Sequence, residues 1–199
     1  MNVPITLYAE MTPNPATMKF VANKYLIMSE KTAEFYSVAE AKGYSPLAEE
    51  LFKFPFVKSV FISSNFITVT KNESITWDYI TMELREFIKS WIQEGKDILI
   101  QMPAERPQPS KENTVEQKSY EPSEFDDAIR NILDEFVRPA VENDGGAIEF
   151  RNFHEGVVTV MLKGSCAGCP SSTVTLKHGI ETILKQHIAE VKEVVAENE

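Results

Sequence analysis

The chain is poor in the residues that most often mark a site: among its 199 residues are two cysteines, three histidines and eight glycines. Two cysteines cannot make a disulfide scaffold, and a chain this long can bury a core without one. Basic residues are also in deficit. With a formal net charge of -10 and a pI near 4.9 there is no cationic stripe to neutralise phosphates, which argues against a nucleic-acid partner. No apolar run approaches the length of a membrane span, so no membrane partner is expected. The opening residues Met1-Asn2-Val3-Pro4-Ile5-Thr6 lack a basic segment followed by an apolar core, and a cytoplasmic location is expected.

What remains is an ordinary globular composition, 43% hydrophobic and 25% charged, in a length that suits two small domains. Ile5 to Ala9 reads as a strand closed by the turn Thr12-Pro13-Asn14-Pro15, and Lys19 to Ala22 resumes an extended pattern. Ser45 followed by Pro46 and an apolar set through Phe52 predicts a short capped helix. Val57 to Ile62 and Phe66 to Thr70, joined by Ser63-Ser64-Asn65, form a hairpin pattern. Trp77, Ile80, Leu84, Phe87, Ile88 and Trp91 recur at helical spacing and place one apolar face of a helix on that sheet. This first half contains no histidine or cysteine and no cluster that could do chemistry, so a packed α+β module is expected over residues 1–100.

Residues 101–121 are polar and proline-bearing without apolar periodicity, the composition of a flexible linker. About 20 such residues hold their ends roughly 25 Å apart on average, which lets the two halves move relative to one another. The second domain, residues 122–199, opens with Ser123 as a helix cap and Phe125, Ile129, Ile132, Leu133 and Phe136 at helical spacing. Pro139 should kink or end that helix, and Asn143-Asp144-Gly145-Gly146 should reverse the chain. Asp144 has no base or metal-ligand partner in the sequence and is expected to be structural. Two strands follow, Ala147 to Phe153 and Val157 to Leu162, then a helix from about Pro170 and a short strand within Val191 to Val195. The fold class is therefore α+β, two small α+β domains, with the C-terminal one in the order α-β-β-α and a final β.

Both cysteines lie in Gly164-Ser165-Cys166-Ala167-Gly168-Cys169-Pro170-Ser171-Ser172, at the strand-to-helix junction. A helix starting near Pro170 places Cys169 beside free N–H groups and the positive end of the helix dipole, which favours a thiolate, and the glycines let backbone amides approach the sulfurs. Three uses of the pair stand side by side. They can be inert buried thiols, the dithiol of a thiol-disulfide redox enzyme, or ligands to a metal. The redox reading is weakened because only a helix and a short strand follow the motif. A metal reading meets a deficit, since zinc and iron-sulfur clusters usually take four protein ligands. His178 and His187 are nine residues apart, a half-integral number of helical turns, so they cannot close one site together, and His154 sits in a turn. If two chains meet across a twofold axis, each brings Cys166 and Cys169 and the count reaches four. Zinc held the same way between two chains, in a pure interaction module, would satisfy the same count.

The run from Phe136-Val137-Arg138-Pro139-Ala140 through Asp144-Gly145-Gly146 to Gly164-Ser165-Cys166-Ala167-Gly168-Cys169-Pro170-Ser171-Ser172 resembles the C-terminal domain of the NifU-like (Nfu) iron-sulfur cluster carriers, over about residues 122 to 196. In the first half Thr12-Pro13-Asn14-Pro15 with Lys19-Phe20, and Phe54-Pro55-Phe56-Val57, resemble the N-terminal domain of the longer Nfu proteins. The resemblance implies a carrier that is not an enzyme, with Cys166 and Cys169 as the cofactor and metal ligands. It implies a [4Fe-4S] cluster, with [2Fe-2S] as an alternative form, bridged in a homodimer. The cluster would be received from an upstream scaffold or donor and passed to apo iron-sulfur client proteins. The cysteine-rich domains of full-length NifU are missing from this sequence, so desulfurase-coupled assembly is not implied. For the first domain a client-docking role is expected.

Overall fold

A computed structural model describes residues 4–27, 31–103, 123–167 and 170–198. Most of the expected linker over 101–121 therefore lies outside the described residues, as does Cys169.

The N-terminal domain is a five-stranded antiparallel sheet in the order β1-β2-β5-β4-β3. Its strands are β1 (Leu7–Met11), β2 (Thr17–Ala22), β3 (Ala33–Phe35), β4 (Val57–Ser63) and β5 (Phe66–Lys71). Two short helices, α1 (Val38–Ala41) and α2 (Pro46–Leu51), separate β3 from β4. Ser45 caps α2 as expected, its Oγ accepting from Ala48 N at 3.1 Å and donating to Ile98 O at 2.6 Å. The helix α3 (Trp77–Gln93) follows β5. Its buried residues Ile80, Leu84, Ile88 and Ile92 meet Phe20, Ile62, Ile67 and Val69 of the sheet in one apolar core. Each such side chain contributes about 1.5–3 kcal/mol by leaving water. The hairpin and α3 stand where the periodicity places them. β3 and α1 are not readable from the sequence, because three or four residues carry too little of either period.

Alternation along the strands sends a second set of residues to the opposite face of this sheet. Register aligns one residue from each strand into a transverse row, in which Glu10 opposes Lys19, Lys19 opposes Thr68, Thr68 opposes Phe61 and Phe61 opposes Glu34. Among the described residues no helix of the same domain packs on this row, yet Lys19, Thr68, Phe61 and Glu34 are all buried.

The C-terminal domain opens with α4 (Asp126–Ile132), passes through a π-helical turn over Leu133–Val137 and continues as α5 (Arg138–Asn143). Ser123 Oγ accepts from Phe125 N at 3.1 Å at the start. The π turn lies just before Pro139, which cannot donate a backbone hydrogen bond, so the expected kink is met by widening the helix by one residue. The strands β6 (Gly146–His154) and β7 (Val157–Gly164) form an antiparallel hairpin, and β8 (Glu193–Asn198) adds parallel to β7. The helix α6 (Pro170–His187) makes the crossover that a parallel pair requires. Ile129, Leu133, Val158, Leu162, Ile180 and Leu184 form this domain's core. The order is that expected, with the parallel placement of β8 supplied by the structure.

Candidate functional site

The cysteine loop and the Asp144-Gly145-Gly146 turn lie against one another. Gly146 pairs with Gly164 at the end of the hairpin, Ser165 N donates to Gly145 O at 3.2 Å, and Ser165 Oγ bonds Asp144 O. The turn is thus the platform of the loop, and Asp144 serves it through its backbone carbonyl. Gly146 is required by close approach, since a Cβ there would stand 2.6 Å from Cys166 Sγ and 2.7 Å from Lys163 O. Gly164 has φ +64°, a conformation costly for any residue with a side chain.

Cys166 is only 6% exposed and packed with the core of its own domain. Burial pushes the thiol up to about 11; a hydrogen bond with Ser165 opposes the rise, and the carboxylates of Asp144 and Glu34 add to it. This corrects the expectation that the pair is arranged to be anionic, at least for Cys166. Proximity to backbone amides is outweighed here by desolvation of the thiolate. A protonated, buried thiol is also a poor attacking group for disulfide exchange. Cys169, the second expected ligand, lies outside the described residues.

The structure adds four residues that sequence reasoning did not single out, all from the N-terminal domain. Asn14 Nδ2 donates to Ser165 O at 3.1 Å and Lys19 Nζ to Asn143 O at 3.2 Å. Thr68 Oγ1 donates to Gly145 O at 2.7 Å, and the Glu34 carboxylate accepts from Gly164 N at 3.2 and 3.3 Å. Between them the Phe61 ring lies where a Cβ on Gly164 would come within 3.0 Å of its Cδ1, and Phe61, Phe66 and Ala147 form a small apolar cluster. Neutral hydrogen bonds of this kind contribute about 0.5–1.5 kcal/mol each and those to a charged group about 1.5–3 kcal/mol. Asn14 and Lys19 stand in the very stretch that carries the first-half resemblance. Glu34 was unreadable because β3 was.

The histidines do not join the site. His178 and His187 are exposed on α6, the latter stacked on Phe136 with ring centroids 5.1 Å apart. Among the described residues no group of three or more His, Cys, Asp or Glu side chains is placed to hold a metal ion. A cavity of about 380 Å³ between the domains is lined by Glu34, Arg130, Arg138, Glu149, Arg151 and Lys163 among others, and does not include Cys166. No helix among the described residues is long and apolar enough to cross a membrane.

Residues 7–95 match the family described as Scaffold protein Nfu/NifU N terminal, and residues 129–195 match the NifU-like domain. The human protein named NFU1 iron-sulfur cluster scaffold homolog, mitochondrial, is 38% identical over 184 residues, which are 92% of this chain and 68% of that one. NifU-like protein 4, mitochondrial, of Arabidopsis thaliana is 35% identical over 193 residues, 96% of this chain and 65% of that one. The NFU1 homolog of Drosophila willistoni, also named mitochondrial, is 37% identical over 92% of this chain and 60% of its own length. The chain thus spans about two thirds of the length of these relatives. Their names overturn the cytoplasmic expectation and point to mitochondria. That expectation rested on the six opening residues Met1 to Thr6.

Proposed function

The chain belongs to the Nfu family of NifU-like scaffold proteins, and on that premise we propose that it carries an iron-sulfur cluster as cargo and passes it to apo-proteins without turning over a substrate. Cys166 and Cys169 are the proposed ligands, two from each of two chains, around a [4Fe-4S] cluster, with [2Fe-2S] as the alternative form. The observation that carries the reading is the cysteine loop itself: a buried cysteine at a strand-to-helix junction, supported by a glycine turn that admits no side chain beside its sulfur. The low ligand count per chain makes such a site easy to surrender, because parting the chains halves the set. An upstream donor and apo iron-sulfur clients are the partners this activity requires. The proposed division is residues 1–100, a linker over 101–121, and the cluster-binding domain over 122–199.

Anaerobic reconstitution followed by iron and sulfide analysis with size-exclusion mass tests the reading. About four iron atoms per two chains, on a dimer, is the expected result. A full cluster on a monomer overturns the bridged site, and a colourless dimer with tightly bound zinc overturns the carrier.

A further inference from the structure

We propose that the outer face of the N-terminal sheet is a docking surface whose occupant is the cysteine loop of the same chain, and that loading a cluster requires the loop to leave it. The inference rests on the carrier reading above. Its geometric basis is the convergence of five residues, from four strands and one turn, on two short backbone segments. Lys19, Thr68, Phe61 and Glu34 come from the transverse row and Asn14 from the turn after β1, and all five are buried where they meet residues 143–145 and 164–165. A charged strand residue placed opposite its domain's own core is ordinarily solvated. Lys19 and Glu34 are instead 7% and 8% exposed, each bonded to the backbone of the other domain.

The docked loop and a bridged cluster exclude one another on two grounds. A cluster shared by two chains needs the cysteine loop to face the partner, whereas the docked loop presents Ser165 to Asn14 of the N-terminal domain and leaves it 2% exposed. A cluster held by thiolates also concentrates negative charge, and such sites draw on nearby backbone N–H donors. The Gly164 N–H is already taken by the Glu34 carboxylate, an anion that would stand beside the cluster. Release exchanges that contact for the cluster and bares Phe61, Phe66, Lys19 and Glu34 on the sheet. The cluster-free chain is thereby the closed form and the loaded dimer the open one.

Two footprints on the full chain test this, each read by peptide mass. One is alkylation of Cys166 by iodoacetamide, and the other is acetylation of Lys19 by an N-hydroxysuccinimide ester. Cluster-free wild type is compared with the Glu34→Ala/Thr68→Val double variant and with reconstituted wild type. In the double variant Lys19 should react about tenfold faster and Cys166, still packed with its own domain's core, should rise less, while the exposed Lys53 reacts as before. In reconstituted wild type Lys19 acetylation should rise by a similar factor. Equal rates in wild type and a folded variant overturn the docking. Should the variant fail to fold, unchanged Lys19 acetylation on cluster loading overturns it. A wild type that takes up no iron overturns the carrier reading instead, and the variant footprints then still decide the docking.

Discussion

The two domains differ in where they bury polarity. In the N-terminal domain Asn14, Lys19, Glu34 and Thr68 are buried polar side chains on one side of a sheet whose other side is apolar. In the C-terminal domain the buried polar residue among those described is Ser165, at the place where those four converge. The apolar core of each domain is completed by its own helices, but the cysteine-bearing end of the second domain is completed by the first. Burying a hydroxyl, an amide or a charge is tolerable only with a partner in place. The polar face of the N-terminal sheet therefore reports the presence of the cysteine loop as directly as its apolar face reports α3.

The comparison is broken most completely at the cysteines. In the proposed bridged dimer, replacing Cys166 or Cys169 by Ser would remove two of four ligands, and iron bound after reconstitution should fall to background. A normal cluster in either variant would place ligands outside the C-terminal loop. Next in size are the cores. Leu84→Ala in the first domain and Leu162→Ala in the second remove fully buried side chains and should each cost about 2–5 kcal/mol. If the polar row couples the domains, calorimetry should show either variant lowering a single shared transition. Two transitions that move independently would mean that the row contributes little.

Gly164→Ala tests the junction itself, since it combines a positive φ with a Cβ 2.8 Å from Gly145 O and 3.0 Å from Phe61 Cδ1. A loss of about 1–3 kcal/mol in chemical denaturation is expected. The pH dependence is of similar or smaller size. The Cys166 thiol is raised from 9.0 to about 11 in the fold, so the unfolded chain releases this proton first as pH rises. Stability from the buried neutral thiol is then fully present below pH 9 and lost between about 9 and 11, to the extent of about 3 kcal/mol. The loss should be missing from Cys166→Ala, and an identical pH profile in that variant would contradict the burial. Smallest is Ser45→Ala, which removes a helix cap remote from the loop and should cost about 1 kcal/mol without changing Cys166 alkylation.

Much of this was readable in advance, and the rest was not, for reasons visible at particular residues. Strong periods over six or more residues placed the β4–β5 hairpin, α3, α4 and α6, and proline and glycine marked the helix kink before α5 and the turn into β6. The Gly164–Cys166 loop was found as a motif, at a strand end, with its structural turn already identified at Asp144-Gly145-Gly146. Ala33-Glu34-Phe35 escaped because a three-residue strand has no period to detect. The state of Cys166 was misjudged because a sequence shows that amides are near a sulfur, and not how much water has been excluded from it.

By itself the sequence determined the longer elements, their order, the family and the pair of cysteines, since these depend on residues close together along the chain. The tertiary structure decided what covers the outer face of the first sheet. Strand alternation says which residues share a face and is silent about what lies against it. The contacts that answer the question join Asn14 to Ser165 and Glu34 to Gly164, across 151 and 130 residues. No local pattern spans such a distance; only the packing of one domain on the other brings those atoms together.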